Sequence, residues 1–351
     1  MIGVNGARVA SFWGISLIWR KRPVLVGLAL LVVCLGLGVL LLGSGTVSLS
    51  PGEVLAGLIG QSDNPLANRL VARVRLPRLL TAALVGAGLG MAGAVFQSLS
   101  RNALGSPDVI GFTTGAASGA ICAIILFQAG PLATALGAVT SGGLTALAVL
   151  LLSQGRGRGT AGGYRLVLVG IGVGSMLSGV NTALLTMGDL DRAMSAQIWL
   201  AGSLEGRNLT HVWIALAGLC LFAPVVLIHA RHLALIGMGE DLASQLGVRV
   251  GRVRMVLVLA SVGLTSLATA CTGPIAFVAL AGPQLARRLT GAPGAPLITG
   301  AIMGAALLIG ADLVSQNAPW RLSLPIGLTT GFLGGLYLLL VLSLARGKPA
   351  P

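Results

Sequence analysis

The chain is 351 residues long, 55% hydrophobic and only 9% charged, with a mean hydropathy of +0.94. A water-soluble domain carries about 25% charged residues, so that class is excluded. The net charge of +14 would suggest a nucleic-acid partner in a soluble protein. Here the arginines sit between apolar runs, where they read as a topology signal and not as a nucleic-acid surface.

In chain order, a basic tail over residues 1–23 precedes "VLVGLALLVVCLGLGVLLLG" (24–43). Eighteen or more apolar residues can cross a ~30 Å hydrocarbon core as a helix. This run lies too deep in the chain, and is too long, to be a cleaved signal peptide. "SPGE" (50–53) places Ser50 at a helix N-cap, Pro51 at the first helical position and Glu53 three residues after the cap. That is a capping box, and it predicts a short surface helix to about Ile59. Further spans are predicted at 77–97, 109–128, 131–153 and 164–187. "DRAMSAQIWLAGSLEG" (191–206) holds Trp199 and too many polar residues to span. It is expected to form a short helix near the outer interface. Spans then follow at 211–229, 253–272, 274–290, 295–316 and 324–343. The run 274–290 is short and contains Pro283, which predicts a broken or tilted helix. The reading is an all-α polytopic membrane protein of about ten transmembrane helices in one domain over residues 1–351.

An even number of spans puts both termini on one side. Of the 23 Lys and Arg residues, Arg69, Arg73, Arg75, Arg78, Arg192, Arg207 and Arg321 fall on the far side, and the other sixteen on the side of the termini. Short cytoplasmic loops carry the excess of Lys and Arg. Both termini and the loop over about 230–252 are therefore expected in the cytoplasm, in a bacterial inner membrane. That loop contains "GEDLASQLGV" (239–248), a conspicuous stretch in a chain with nine Asp and Glu residues. Glu240 to Leu246 favour a short helix, and Gly247 is a natural stop.

No catalytic motif is found: HExxH, GxSxG and GxxxxGK[ST] are all missing. Cys34, Cys122, Cys220 and Cys271 fall singly in separate apolar runs, which suits packing and not a disulfide or a metal. His211, His229 and His232 lie at span ends. Asp312, near the outer end of a span, is the only acid placed where ion coupling could need one. Beside a water-facing loop, it is expected to cap or pair locally. No cofactor is implied, and energy for any movement of cargo has to come from a partner. Glycines at four-residue spacing (Gly86/Gly90, Gly111/Gly115/Gly119, Gly170/Gly174, Gly327/Gly331/Gly335) fit close helix packing or a narrow pathway lined by small side chains.

Two polar features remain. "RLVARVRLPR" (69–78) packs four arginines into ten residues on the face where the charge rule disfavours them. They serve either an anionic partner or as arginines snorkelling at the interface. On the other face, Glu240 and Asp241 stand among Arg231, Arg249, Arg252 and Arg254, which is either a docking surface or a solvated loop helix.

Four ordered stretches carry a resemblance: "RLPRLLTAALVGAGLGMAGAVFQSLSRNALGSPDVIGFTTGAASG" (75–119), "GEDLASQLGV", "GPIAFVALAGPQLARRLTG" (273–291) and "ADLVSQNAPWRLSLPIG" (311–327). They resemble the iron-chelate and vitamin B12 permeases of ABC importers over about residues 24–345. "GSPDVIGFTTGA", "GIGVGSML" and "LGGLYLLLVL" look most like the ferric-enterobactin type, which imports a catecholate siderophore. The resemblance implies a type II importer fold of ten helices per subunit, with a sister permease across a central pathway. It also implies cytoplasmic ATPase subunits and a periplasmic siderophore-binding protein that delivers the ferric siderophore. In the family a short helix pair docks in the ATPase, and Glu240, Asp241, Ala243, Leu246 and Gly247 fall on it. Outer arginines meet acids of the binding protein, which maps onto Arg75 and Arg78.

The chain departs from the family pattern in places. Asn102-Ala103 stands for Asn-Pro, which is expected to loosen that loop, and Pro283-Gln284 stands for Pro-His. Gln316 stands for an arginine, and Ser323-Leu324-Pro325 for Glu-Leu-Pro. Arg321 is the residue expected to compensate in docking. Haem or cobalamin as cargo, and a secondary transporter driven by an ion gradient, are the rival readings. The latter would want membrane-embedded acids or unwound helices in paired halves.

Overall fold

A computed structural model describes residues 7–12, 15–45, 47–61, 65–153, 162–317 and 324–345. A short antiparallel ribbon opens the chain. In it β1 (Ala7–Phe12) pairs with β2 (Ile15–Arg20), Ala7 opposite Arg20 and Phe12 opposite Ile15. Among the described residues, all the regular elements after it are helices. The first long helix, α1 (Lys21–Gly43), is followed by α2 (Pro51–Leu58) and α3 (Pro65–Leu70). A π-helical turn, Val71–Arg75, joins α3 to α4 (Leu76–Leu99). Next come α5 (Phe112–Phe127), α6 (Pro131–Ser153), α7 (Gly162–Met187), α8 (Leu190–Leu200) and α9 (Leu209–Ile228). The short pair α10 (Ala230–Met238) and α11 (Glu240–Gln245) leads into α12 (Val250–Thr272), α13 (Val278–Thr290), α14 (Leu297–Gln316) and α15 (Ile326–Ala345). Ten of these fall on the ten predicted spans. Among the described residues, seven helical stretches are long and apolar enough to cross a membrane, and α5 and the Ile326–Leu339 part of α15 are shorter apolar helices. The chain is a multi-pass membrane protein.

Local chemistry explains most boundaries. At α2 the Ser50 hydroxyl accepts from the Glu53 N–H at 3.3 Å, and the Glu53 carboxylate accepts from the Ser50 N–H at 2.8 Å. The expected capping box is present. These hydrogen bonds hold the Glu53 carboxyl below the usual carboxylate range. The second span begins earlier than hydropathy implied, because one helical run extends over Pro65–Leu99. Arginine is a good helix former, so Arg69, Arg73 and Arg75 lower the hydropathy without ending the helix. The π turn takes up the extra residue at the junction.

The span expected at 274–290 is helical only as α13, from Val278. Its 13 residues rise about 20 Å, too little to cross a ~30 Å core alone. The stretch before it is held open by backbone: Gly273 lies at φ +74° and Phe277 at φ +75°, and Pro274 has no N–H to continue a helix. The helix runs on through Pro283 without ending there.

Helices α4, α12 and α14 are mostly buried, while α1, α6, α7 and α9 are mostly exposed and form the periphery. Glycine sets the closest approach. Gly86 and Gly90 of α4 face Gly304 and Gly300 of α14, where a β-carbon on Gly90 would collide with the Gly300 carbonyl. Gly111 meets Gly170 and Gly174 in the same way, and Gly119 meets Gly137. Small residues let backbones touch, which is how membrane helices gain contact without a hydrophobic drive between them. Gly331 and Gly335 face nothing within 4 Å.

Candidate functional site

The two polar features predicted from sequence lie at opposite ends of the bundle. The terminal end carries the start of α1 and the end of α13, joined where Arg22 Nε donates to the Leu289 carbonyl at 3.0 Å. The far end carries the arginines of 69–78.

At the far end the four arginines divide into two kinds. Arg69 and Arg73 are exposed. Arg75 donates to the Leu42 carbonyl at 2.6 Å and also to the Val47 carbonyl, so it staples the end of α1 to the start of α4. Arg78 reaches across to α14. Its Nε donates to Asp312 Oδ2 at 2.9 Å and its Nη2 to Oδ1 at 2.6 Å, a bidentate pair. The Asp312 side chain is 0% exposed and that of Arg78 19% exposed. Gln316 Nε2 adds a third donor to Asp312 at 3.1 Å. Asp312 therefore pairs, but with a residue far off in sequence. Removing one partner of such a pair leaves a buried charge, at a cost of about 3–5 kcal/mol. Arg78 also lines a cleft of about 310 Å³ with Gln197, Ser203, Glu205, Ser315 and Pro325. Beside it the Ser315 hydroxyl donates to the Leu324 carbonyl. Arg321 and Ser323 lie outside the described residues.

At the terminal end α10 and α11 form a helix pair hinged at Gly239, whose φ of +140° no L-residue adopts comfortably. The exit from α11 is a Schellman motif. The Val248 N–H donates to the Ala243 carbonyl and the Gly247 N–H to the Ser244 carbonyl, both at 3.0 Å. Gly247 sits at φ +82°, the left-handed conformation that this motif requires. Ala243 is fully buried, anchoring α11, while Asp241 and Leu246 are exposed. Glu240 turns inward to Arg254 of α12, with Oε1 and Nη2 2.5 Å apart. The two acids thus have different surroundings: Glu240 is neutralised within the chain, and Asp241 projects its charge. Sequence reasoning missed Met238 and Leu242, which are exposed beside Leu246 and give the pair an apolar tip. Two large apolar residues in a loop between charged residues were the available signal.

The two sequence departures on this face meet each other. Gln284 Nε2 donates to the Ala103 carbonyl at 2.6 Å, and Asn102 Oδ1 accepts from the Leu104 N–H at 2.9 Å. The loop expected to be loosened by the missing proline is held by the glutamine that replaces the histidine.

The bundle and its two polar ends define a polytopic transport permease. The FecCD transport family matches residues 28–343, and the chain belongs to that family. It is 42% identical to the ferric enterobactin transport system permease protein FepG of Escherichia coli, over 93% of this chain and 98% of that protein. It is 37% identical to the achromobactin transport system permease protein CbrC of Dickeya dadantii, over 90% of each. It is 34% identical to the Fe(3+)-citrate import system permease protein YfmE of Bacillus subtilis, over 94% and 98%. Among solved structures it is similar to a metal-chelate type ABC transporter in an inward-facing conformation. That match has a TM-score of 0.80 at 28% identity, covering 91% of this chain and 99% of the other.

Proposed function

We propose that this chain is the membrane permease subunit of a type II ABC importer that carries a ferric catecholate siderophore across the bacterial inner membrane. The observation that carries the reading is the α10–α11 pair. It is a short helix pair with an exposed apolar tip of Met238, Leu242 and Leu246 beside the charge of Asp241. Such a tip fits a groove on a cytoplasmic ATPase, with complementary charge fixing register more than adding affinity. ATP hydrolysis then belongs to that partner, and this subunit is not itself the enzyme. The choice of cargo follows the 42% identity with the enterobactin permease.

The remaining partners follow from exposed surface. Leu168, Ile171 and Met176 of α7, and Leu328, Phe332 and Leu336 of α15, are exposed. They suit a sister permease, with lipid on the rest of the periphery. At the far end the basic run receives acidic groups of a periplasmic siderophore-binding protein. Arg69 and Arg73 are free to meet them. Arg75 and Arg78 meet them from anchored positions, with Arg321 as a further contact. Both termini, and the α10–α11 pair, face the cytoplasm.

Uptake of iron-labelled ferric catecholate, haem and labelled cobalamin in a strain deleted for this permease tests the cargo. Catecholate uptake alone should be lost on deletion and restored by the gene. Restoration of haem or cobalamin uptake with no effect on the catecholate would overturn the assignment.

A further inference from the structure

A second polar cavity, of about 460 Å³, lies at the terminal end between the last turn of α4, the last turns of α13 and the inner face of α10. Its lining includes Gln97, Arg101, Asn102, Met238, Arg287 and Gly294, and no acidic residue. Apart from Met238, which also belongs to the α10–α11 tip, nothing in the transport reading uses it. Two of its polar atoms are buried without a partner: Arg287 Nε, a donor, and Gln97 Oε1, an acceptor. Gln97 is 2% exposed, and its other amide atom is committed, donating to the Leu280 carbonyl at 2.9 Å. That bond fixes which atom is left over. Buried polar atoms are normally satisfied, and an orphan on a cavity wall asks for a ligand atom. A group that suits both orphans and Arg101 presents anionic oxygens to the guanidiniums and a hydroxyl to the amide oxygen.

We propose that this cavity binds a phosphate ester bearing a hydroxyl, the chemistry of a glycerophosphate headgroup. Guanidinium and phosphate match in geometry as well as charge. The volume falls within the roughly 300–1,000 Å³ usual for small-molecule sites. The carboxyl ends of α4 and α13 point the wrong way for an anion, but each contributes only about half a charge, against two full guanidinium charges. In the topology proposed above this end faces the cytoplasm, where basic pockets between membrane helices take anionic headgroups. Because Leu233, Gly237 and Met238 of α10 form one wall, an occupant braces the helix pair from behind.

The full-length chain in detergent would be titrated with phosphatidylglycerol, with phosphatidylcholine and with inorganic phosphate, reading bound ligand by native mass spectrometry and stability by thermal shift. Phosphatidylglycerol should bind at least about tenfold more tightly than phosphatidylcholine, with inorganic phosphate competing. The double variant Arg101→Gln/Arg287→Gln should lose about tenfold in that affinity while melting normally without lipid. The charge-retaining double lysine variant should keep most of it. Arg165→Gln, an exposed cation of the same face, should change nothing. Binding of inorganic phosphate at this site without phosphatidylglycerol would keep the phosphate chemistry and assign a soluble source. A headgroup preference untouched by the double glutamine variant, or lost equally in Arg165→Gln, would overturn the site.

Discussion

Asp312 shows how a single side chain can be legible in kind and not in partner. Its isolation in an apolar span marks it as a residue that must pair. Arg78, 234 positions away, is the partner only because glycines bring α4 and α14 together. No local spacing rule reaches that far. Asp312→Ala should strand the Arg78 charge and destabilise the protein by about 3–5 kcal/mol, seen as a lower melting temperature in detergent. Replacing both with apolar residues, Arg78→Met/Asp312→Leu, should recover most of the loss. A single variant as stable as wild type would show that water reaches the pair. The glycines give a second test. Gly90→Ala should lower stability by about 1–3 kcal/mol through overpacking, because its β-carbon meets the Gly300 carbonyl. Gly36→Ala, with nothing within 4 Å, should be neutral. Equal effects at the two positions would mean that the α4–α14 contact is looser than drawn.

Among the elements, α11 was readable almost to the residue. Its acids favour a first turn and Gly247 supplies the left-handed exit, both local effects. The inward turn of Glu240 was not readable, since it depends on α12 folding back to present Arg254. The late start of α13 was half visible: Gly273-Pro274 marks a break, but the unusual backbone of Phe277 has no sequence signature. Its ring packs on Gly334 of α15 and edge-on to Tyr337 at 5.9 Å. Tertiary packing decides it. If α10–α11 is the ATPase contact, damage there should uncouple and not unfold. Gly247→Val forces a β-branched residue into φ +82° and should break the Schellman exit. Asp241→Arg reverses the exposed charge that the pair projects and leaves the inward-facing Glu240–Arg254 ion pair intact. Both variants should reach wild-type levels in the membrane, lose co-purifying ATPase and fail to support growth on the ferric siderophore. Wild-type ATPase retention in both would reduce the pair to a solvated loop.

For the whole molecule, hydropathy located the ten long helices, α13 among them though too short to cross alone, because lipid imposes length and polarity on each one separately. It could not show which helices form the hub, since α4, α12 and α14 are no more apolar than their neighbours. Sidedness rests on the arginine distribution and is open to direct test. Reporter fusions at Gly157 and Gly239 should read cytoplasmic, and fusions at Asn64 and Arg207 periplasmic. The reverse result at Gly239 would remove α10–α11 from the ATPase. The most direct measurement of the central proposal is uptake into proteoliposomes holding this permease with its sister subunit and ATPase, with binding protein and iron-labelled ferric catecholate outside. Accumulation should require ATP inside and the binding protein outside, and should vanish with Gly247→Val. Accumulation without ATP, driven by a proton or sodium gradient alone, would contradict it.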